Sequence, residues 1–295
     1  MSYQPLRPGR HGTIPIRGLD HHFIRWGPDS DDPVLLLHGF ADCAASFQFV
    51  ADAIDPGLPL LAIDWRGFGA SARSSGGYWF PDYYADLEAI LDTFCPRGPA
   101  RIVGHSMGAN VAMIYAGARP ARVRALVNLE GIGLPRTQAS QAPARLAQWL
   151  DELRESLSAG DYASLAELAE RVARRNPRLA PEQAEFIAAC WSEPVAGGGV
   201  RLLADPAHRR TNPYLYRREE MEACWRAIEA RVLLVVGGDS ELLQRLAPEG
   251  GVEYLKAIVP MLTIEQVAGV GHMLHHEAPR AIARLIESFV GTSLP

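Results

Sequence analysis

Short apolar runs alternate with amphipathic stretches along most of the chain. The runs are rich in Val, Leu and Ile and end in turn-forming residues, as expected of strands that are buried on both faces. They lie at Val34–His38, Leu60–Asp64, Arg101–Val103, Ala125–Leu129, Val232–Val236 and Leu262–Val267. Helical patterns lie between most of them, at Pro81–Phe94, Met107–Ala118 and Ala278–Val290. This alternation predicts an α/β protein with a doubly wound, mostly parallel sheet that binds ligands at its strand carboxyl ends. Ile14–Ile16 and His22–Trp26 favour an antiparallel hairpin at one edge.

The alternation breaks between about Leu134 and Ala230. Amphipathic patterns predict helices there, with Asp161 and Ala180-Pro181 as helix starts and Gly197–Gly199 as a flexible joint. The predicted helices are Ala144–Leu157, Tyr162–Arg175, Pro181–Cys190 and Arg217–Ile228. We interpret the segment as a helical cap over the carboxyl edge of the sheet, the alternative being a helical decoration away from it. The predicted organisation is a core domain at residues 1–134, a cap at 135–230 and the rest of the core at 231–295.

Composition narrows the class of protein. The chain has 295 residues, 48% of them hydrophobic and 21% charged, so a large core can form. Its formal net charge is −5, which does not suit a nucleic-acid backbone or an anionic membrane surface. The basic residues are almost all Arg, with Lys256 the only lysine, which favours a bacterial genome rich in G and C.

Targeting and membrane signals are not found in the sequence. The first 18 residues contain no apolar run, so we expect no signal peptide, and no stretch is long enough for a membrane span. The cysteines are far apart and form no C-x-x-C pair, which favours neither a zinc site nor a disulfide framework. They are Cys43, Cys95, Cys190 and Cys224. We expect buried thiols in a cytoplasmic protein.

The most informative motif is Gly104-His-Ser106-Met-Gly108. An apolar strand leads into it and a helical pattern follows, which is the arrangement of a nucleophile elbow, a tight turn that exposes a strained serine above the sheet. Gly104 and Gly108 are required sterically, because a Cβ at either position would meet the neighbouring strand or helix. Ser106 is therefore the candidate nucleophile.

A serine hydroxyl needs a base, and His272 is the candidate. It lies in Gly269-Val-Gly271-His272, just after the last predicted strand, so its loop reaches the same edge as Ser106. We expect the neighbouring His275 and His276 to be exposed or to cap a helix, and His21-His22 to lie on the surface. No histidine spacing suggests a metal site.

Three carboxylates could orient the imidazole of His272. Glu130 ends the Ala125–Leu129 run, whereas Asp239 and Glu241 follow the Val232–Val236 run. A charged residue at the end of a buried strand is costly unless it is paired, which favours a functional role at both strand ends without choosing between them.

An oxyanion hole is available from two backbone N–H groups. One belongs to Phe40, in the His38-Gly39-Phe40 turn after the first apolar run, and the other to Met107, which follows the serine. We expect the two side chains to line the pocket floor, and His38 and Gly39 to contact the substrate.

The motifs together resemble those of the α/β-hydrolase superfamily, in the family's order, over about Val34 to Val290. They include His38-Gly39-Phe40, Gly104-x-Ser106-x-Gly108 and Gly271-His272. A further one, Asp64-Trp-Arg66-Gly67-Phe-Gly69-x-Ser71, is expected to be a structural turn beside the site. The chain is similar to capped serine hydrolases, including the serine hydrolase-like proteins. Serine at position 106 argues against the dehalogenases and epoxide hydrolases of this superfamily, which have aspartate there.

The resemblance also bears on the acid. The family commonly places it at the third position after a glycine, which from Gly237 is Ser240. Haloalkane-dehalogenase-like members and certain esterase or lactonase relatives instead place it at the end of the preceding strand, which Glu130 matches. We therefore favour Glu130, with Asp239 and then Glu241 as alternatives.

The expected function is cofactor-independent hydrolysis of a small, fairly apolar carboxylic ester, lactone or thioester. The alternatives are carbon–carbon bond hydrolysis or acyl transfer by the same residues, and ligand binding without turnover. Trp149, Trp191 and Trp225 of the cap are either pocket aromatics or part of the cap core. We expect a small-molecule substrate, no cofactor or metal, no nucleic acid or membrane partner, and a monomer or homodimer.

Overall fold

A computed structural model describes residues 3–291, apart from residues 242, 243, 245, 246 and 248–250. Its strands are β1 (Arg10–Ile16), β2 (Leu19–Trp26), β3 (Val34–Leu37), β4 (Leu60–Ile63), β5 (Ala100–His105), β6 (Val123–Leu129), β7 (Asp161–Tyr162), β8 (Ser192–Pro194), β9 (Val200–Leu202), β10 (Arg231–Gly237) and β11 (Leu262–Val267). Eight of them form one sheet in the order β1-β2-β4-β3-β5-β6-β10-β11. The β1–β2 and β2–β4 pairs are antiparallel and the other pairs are parallel. The doubly wound sheet and its antiparallel edge hairpin are thus confirmed.

Helices cover both faces of this sheet and form most of the segment between β6 and β10. They are α1 (Gln48–Ala53), α2 (Phe80–Phe94), α3 (Met107–Ala118), α4 (Ala142–Glu152), α5 (Leu165–Arg175), α6 (Pro181–Cys190), α7 (Arg218–Arg226), α8 (Gly251–Ile258), α9 (Leu274–Glu277) and α10 (Pro279–Gly291). The four strands β3 to β6 are almost completely buried, because helices pack on both faces. Within the described residues, no helix is both long and apolar enough to cross a bilayer.

The carboxyl ends of the parallel strands bring the candidate residues together. Gly39 follows β3, Ser106 follows β5, Glu130 follows β6 and His272 lies in the loop after β11. In a parallel sheet these ends lie along one edge, so residues far apart in sequence converge there.

The segment between β6 and β10 is not purely helical as we expected. It contains a small antiparallel sheet in the order β7-β9-β8. Asp161 begins β7 rather than a helix, and α5 begins at Leu165 with Ser164 as its N-cap, whose hydroxyl accepts from the Glu167 N–H at 3.1 Å. Gly197–Gly199 is the turn between β8 and β9, closed by a 3.2 Å bond from the Val195 N–H to the Gly199 carbonyl, so it is a hairpin turn rather than a flexible joint.

Two parts of this segment pack differently. The α5–α6 pair forms a small apolar cluster with Phe49 of α1, so it rests on the core domain. α7 lies directly against α3, where a Cβ on Gly117 would come within 1.9 Å of the Cys224 carbonyl oxygen. Trp225 is 1% exposed and packs into the main core beside a cavity of about 10 Å³, so it belongs neither to a core of the cap nor to a pocket of substrate size.

His21 was wrongly expected at the surface. It is fully buried against α2, where its Nε2 lies 3.5 Å from Asp86 Oδ2, and its Nδ1 lies 3.1 Å from the Leu19 carbonyl oxygen. His22 is partly buried, with its Nδ1 2.7 Å from Asp64 Oδ2. The four cysteines are free thiols; Cys43 and Cys95 are buried, as expected, but Cys190 and Cys224 are only partly so.

Candidate active site

Ser106 occupies a strained turn between β5 and α3. Its φ of 49° lies in the left-handed region, which side chains other than glycine rarely adopt. The flanking glycines permit this turn, because a Cβ on Gly104 would lie 2.6 Å from the Ala109 backbone and one on Gly108 would lie 2.4 Å from the Leu37 carbonyl oxygen. A further bond from the Ser106 N–H to the Leu129 carbonyl, 2.8 Å long, ties the turn to β6. Serine is thus held with its hydroxyl at the carboxyl edge.

The candidate nucleophile, base and acid lie in one hydrogen-bonded chain. His272 Nε2 is 3.1 Å from Ser106 Oγ, and His272 Nδ1 is 2.6 Å from Glu130 Oε2. Both distances are within the reach that proton transfer and imidazole orientation require. A carboxylate at Nδ1 favours the tautomer with the proton on that nitrogen, which leaves Nε2 free to accept the serine proton.

Glu130 is held by the strand beside it. Its side chain is 1% exposed, and Oε1 accepts from the Gly237 N–H while Oε2 accepts from the Ser240 hydroxyl, both at 2.7 Å. A buried carboxylate needs such donors, because burial without them strongly penalises its charge. Ser240 occupies the position at which related hydrolases commonly carry the acid. Its hydroxyl instead donates to Glu130, which follows the neighbouring strand.

The two alternative acids do not contact His272. Asp239 is exposed, and its Oδ2 lies 2.5 Å from Nη2 of Arg178, in the loop between α5 and α6. Glu241 is also exposed, one residue beyond Ser240. Of the three carboxylates considered, the structure brings only Glu130 to the imidazole.

The two expected oxyanion donors belong to residues next to the elbow. Met107 is the first residue of α3, so its N–H precedes the first helical bond, which the Asn110 N–H makes to the Ser106 carbonyl at 2.9 Å. Phe40 follows Gly39, where an added Cβ would lie 3.2 Å from Ser106 Cβ and 2.7 Å from His105 Nδ1. The Gly39-Phe40 turn therefore packs directly on the elbow. The Met107 side chain is buried, whereas that of Phe40 is 54% exposed.

His38 does not reach a substrate cavity, contrary to expectation. Its side chain is completely buried, with Nδ1 donating to the Gly39 carbonyl at 2.7 Å and Nε2 accepting from the Trp65 N–H at 3.0 Å. These bonds fix the Gly39-Phe40 turn. His38 is thus a positioning residue, and Gly39 contributes by having no side chain against Ser106.

The Asp64–Ser71 segment forms the locked turn that we expected. Asp64 accepts from the Ala44 N–H at 2.6 Å and from the Ala70 N–H at 2.9 Å, and the Ser71 hydroxyl donates to its carbonyl at 2.6 Å. Arg66 forms a bidentate pair with Asp86 of α2, at 2.6 and 2.5 Å. Burial alone would raise the pKa of Asp86, but His21 and Arg66 bind its charged form, so the pKa is lowered.

Sequence reasoning missed a group of buried histidines beneath the site. His105, inside the elbow motif, donates from Nε2 to the His272 carbonyl at 2.9 Å, and its ring lies 4.4 Å from that of His275. His275 and His276 are 0% and 2% exposed and lie inside α9 rather than at its caps, so the expectation that they are exposed or cap a helix was wrong. The short helix α9 packs inward against α1 and α10, which buries both rings. The signal available in sequence was only the His-His pair directly after His272.

Asp42 connects these histidines to the segment between β6 and β10. Its Oδ2 is 3.2 Å from His275 Nε2 and accepts from Ser46 at 2.9 Å, and its Oδ1 accepts from the Trp191 indole at 2.9 Å. In the described residues, Asp42, His275 and His276 are the group whose atoms lie close enough to hold a metal ion. The carboxylate already accepts several protein hydrogen bonds, which identifies the group as a structural network rather than a prepared metal centre.

Burial lowers the pKa of His275 and of His276 to about 3, with a further contribution from neighbouring histidines. In the unfolded chain each would have a pKa near 6.5, so below that pH the unfolded state binds more protons than the folded state. Stability should therefore be complete above about pH 6.5 and fall with pH toward 3. We expect a loss of about 2 kcal/mol per histidine between pH 7 and 5, measured by urea unfolding at both values.

His276→Gln is the control for this pH dependence. Glutamine does not titrate, so the difference in the free energy of unfolding between pH 7 and 5 should shrink by about one histidine's share, whatever the variant's absolute stability. An unchanged difference would contradict the assignment of a buried, neutral His276.

Two cavities flank Phe40 at the edge of the sheet. The first, of about 270 Å³, is lined in part by aromatic residues, among them Trp79 and Trp149, and also by Met107 and Arg210. The second, of about 260 Å³, includes Trp191 and Met273. Trp149 and Trp191 thus line cavities that also include Met107 and Met273, the residues directly after Ser106 and His272. Their role in substrate binding stays a prediction.

Comparison with known proteins assigns the fold to a family. Residues 32–279 match the sequence profile of the alpha/beta hydrolase fold. The chain belongs to the alpha/beta hydrolase fold family. This confirms the resemblance inferred from the elbow and its companion motifs, and it agrees with the strand order of the sheet.

Several alpha/beta hydrolases are similar over nearly the whole chain. A serine hydrolase-like protein of Danio rerio is 25% identical over 281 residues, covering 92% of this chain and 85% of that protein. The 2-(acetamidomethylene)succinate hydrolase of Mesorhizobium japonicum is 26% identical over 259 residues, 87% of each chain. The solved structure of a hypothetical protein from Pseudomonas aeruginosa is 29% identical with a TM-score of 0.84, covering 96% of this chain and 99% of that one.

Proposed function

We propose that this protein is a serine hydrolase that cleaves carboxylic esters or thioesters through an acyl-enzyme on Ser106. The observation that carries the proposal is the unbroken contact chain from Ser106 through His272 to the buried Glu130. The hydrolase relatives are consistent with this chemistry. A protein that only binds ligands has no need for a strained serine with an oriented base beside it.

The first half of the reaction forms the acyl-enzyme. Ser106 Oγ attacks the carbonyl carbon as its proton moves to His272 Nε2, and the Phe40 and Met107 N–H groups stabilise the oxyanion. The C–O or C–S bond to the leaving group then breaks, and His272 returns the proton to the leaving atom. Glu130 stabilises the imidazolium that exists in between.

The second half uses water as the nucleophile. His272 takes a proton from water, the hydroxide oxygen bonds to the acyl carbon, and the bond to Ser106 Oγ breaks as that oxygen regains a proton. The products are a carboxylic acid and an alcohol or thiol. These steps use only groups of this chain and water.

The two cavities suit the two parts of such a substrate. The leaving group must lie on the side of His272, which protonates it. The lining of the second cavity includes Met273, the residue directly after His272, and His276 of α9. The aromatic first cavity adjoins Met107 of the elbow, so we assign it to the acyl chain. The residues of the proposed cap at 135–230 contribute to both cavities, which supports a role for the cap in substrate choice.

Reaction with a fluorophosphonate probe, followed by peptide mass spectrometry, tests the proposal. The adduct should lie on Ser106, and p-nitrophenyl esters from acetate to octanoate should be turned over. Labelling that persists equally in Ser106→Ala would overturn the assignment of the nucleophile.

Trp149→Ala should shift preference toward longer acyl chains. The indole is partly buried in the wall of the first cavity, and its removal enlarges the space for the acyl group. We expect the kcat/KM ratio of octanoate to butanoate p-nitrophenyl esters to rise about five- to tenfold, since each methylene buried contributes about 0.8 kcal/mol, or about fourfold. Trp191→Phe, on the other cavity, is the control. An equal rise in both variants would contradict the assignment of the acyl cavity.

A further inference from the structure

The second cavity is lined by two arginines, whereas the first is lined by one, Arg210. Arg171 and Arg175, one turn apart on α5, both belong to its lining and expose their side chains. Among the described residues, neither guanidinium has a carboxylate within salt-bridge distance, and the Arg171 guanidinium carbon lies over the Tyr162 ring, 5.7 Å from the ring centre. The neighbouring arginines behave differently, because Arg174 pairs with Glu170 and Arg178 pairs with Asp239.

A buried amide without a partner lies beside these arginines. Asn176 is 5% exposed, yet within the part of the chain that the structure describes neither its Nδ2 nor its Oδ1 has a hydrogen-bond partner. It also lines the second cavity. Buried polar groups are almost always hydrogen-bonded, and both amide atoms of Asn176 are shielded from solvent in this conformation. A rotation of the side chain toward the cavity would let a ligand supply the missing bonds.

The other ionisable groups of this cavity do not cancel the positive charge. Asp42 is buried and its oxygens already accept from Trp191 and Ser46. Burial lowers the pKa of His276 to about 3 and raises that of Cys43, so both are neutral near pH 7. The lining therefore contains two guanidinium groups and one carboxylate, and that carboxylate already accepts hydrogen bonds from the protein.

We infer that the second cavity binds a carboxylate on the leaving group of the substrate, held by Arg171, Arg175 and Asn176. This inference rests on the proposed function and specifies its substrate class: esters or thioesters whose alcohol or thiol part ends in a carboxylate. Guanidinium groups recognise carboxylates through strong, directional hydrogen bonds, and an amide adds one donor beside them. The leaving group is the part concerned, because this cavity lies on the side of His272.

The test compares two esters of equal length. Hexyl butanoate and 6-(butanoyloxy)hexanoate differ only in the terminal methyl or carboxylate of the alcohol part. We expect kcat/KM to favour the carboxylate by at least about tenfold, and Arg171→Gln or Arg175→Gln to reduce that ratio by about five- to tenfold each. Added salt should reduce it as well. A ratio near one in the unmodified protein, or a ratio kept by both variants, would overturn the inference.

Two control variants distinguish binding at this site from general effects of charge and stability. Arg174→Gln removes a charge from the same helix outside the cavity and should leave both rates unchanged. Asn176→Leu keeps the side-chain size and should lower the carboxylate ratio without lowering the melting temperature, because it removes an unpaired buried amide. A loss of stability with no change in the ratio would assign Asn176 a purely structural role.

A second pair of substrates tests whether the carboxylate is recognised on the leaving group or on the acyl group. Mono-p-nitrophenyl adipate and p-nitrophenyl hexanoate carry the same difference on the acyl part. A carboxylate preference in this pair instead of the first would overturn the placement of the anion on the leaving group.

Binding to Ser106→Ala keeps the inference separate from the proposed function. The amide 6-(butanoylamino)hexanoate should bind about tenfold more tightly than N-hexylbutanamide by calorimetry, and Arg175→Gln should remove the difference. If this holds but no ester is cleaved, the proposed function fails and the anion site stands. If Ser106-dependent cleavage occurs without any carboxylate preference, the function stands and the anion site is wrong.

Discussion

Ser106→Ala should lower kcat for a p-nitrophenyl ester by about 10⁴- to 10⁶-fold, the loss typical of a missing nucleophile. Without Oγ, neither the acyl-enzyme nor the proton transfer to His272 can occur. The fold should persist, because the Ser106 backbone bonds to Leu129 and Asn110 do not involve the side chain. Melting temperature should stay the same or rise, since alanine leaves the buried contacts of the elbow in place.

Gly39→Ala is the matched variant for this measurement. It places a methyl group 3.2 Å from Ser106 Cβ and 2.7 Å from His105 Nδ1, so it should reduce activity by disturbing the elbow while keeping the nucleophile. Its remaining activity should still be blocked by the fluorophosphonate. Retention of more than about a tenth of activity in Ser106→Ala would reject this serine as nucleophile.

The sequence predicted the central sheet well because buried parallel strands have a strong local signal. Runs such as Leu60–Ile63 contain only apolar residues, and both faces are covered in the structure. The elbow was equally predictable, since Gly104 and Gly108 are required by contacts with the elements directly beside them. In both cases the physical constraint lies close to the residues that show it.

The parts that sequence could not supply depend on long-range packing. His275 and His276 follow a loop and look like surface residues, but the contacts of α9 with α1 bury them around Asp42. The β7-β9-β8 sheet consists of strands of two or three residues, too short for a period-2 pattern. The two cavities arise where the residue 135–230 segment meets the core, and no periodicity encodes that contact.

The choice of the acid depends on both local signals in the sequence and long-range packing. Sequence alone placed Glu130 and Asp239 at two strand ends and could not select between them. The resemblance favoured Glu130 through the serine at position 240, and the structure gives that serine a physical role as donor to the carboxylate. Asp239 is engaged elsewhere, by Arg178.

Glu130→Gln should lower kcat by about 10³- to 10⁴-fold with a small change in KM. The amide would donate to His272 Nδ1 and hold the tautomer with its proton on Nε2, which cannot accept the proton of Ser106. Asp239→Asn, which breaks only the exposed pair with Arg178, is the control and should change kcat less than about threefold. The reverse pattern in steady-state kinetics would assign the acid to Asp239.

Moving the carboxylate from position 130 to position 240 is a second test of the contact between the acid and His272. Ser240 Oγ lies 2.7 Å from Glu130 Oε2, the oxygen that is 2.6 Å from His272 Nδ1. In the double variant Glu130→Ser with Ser240→Asp, a carboxylate starts from the neighbouring strand and the new serine can donate to it. We expect this variant to regain about tenfold or more over Glu130→Ser alone, because a carboxylate at Nδ1 restores the productive tautomer. Ser240→Asp alone should instead reduce both activity and stability, since two carboxylates would then share one buried site. If the double variant were no more active than Glu130→Ser while remaining folded, the acid would need the position of the Glu130 side chain as well as its charge.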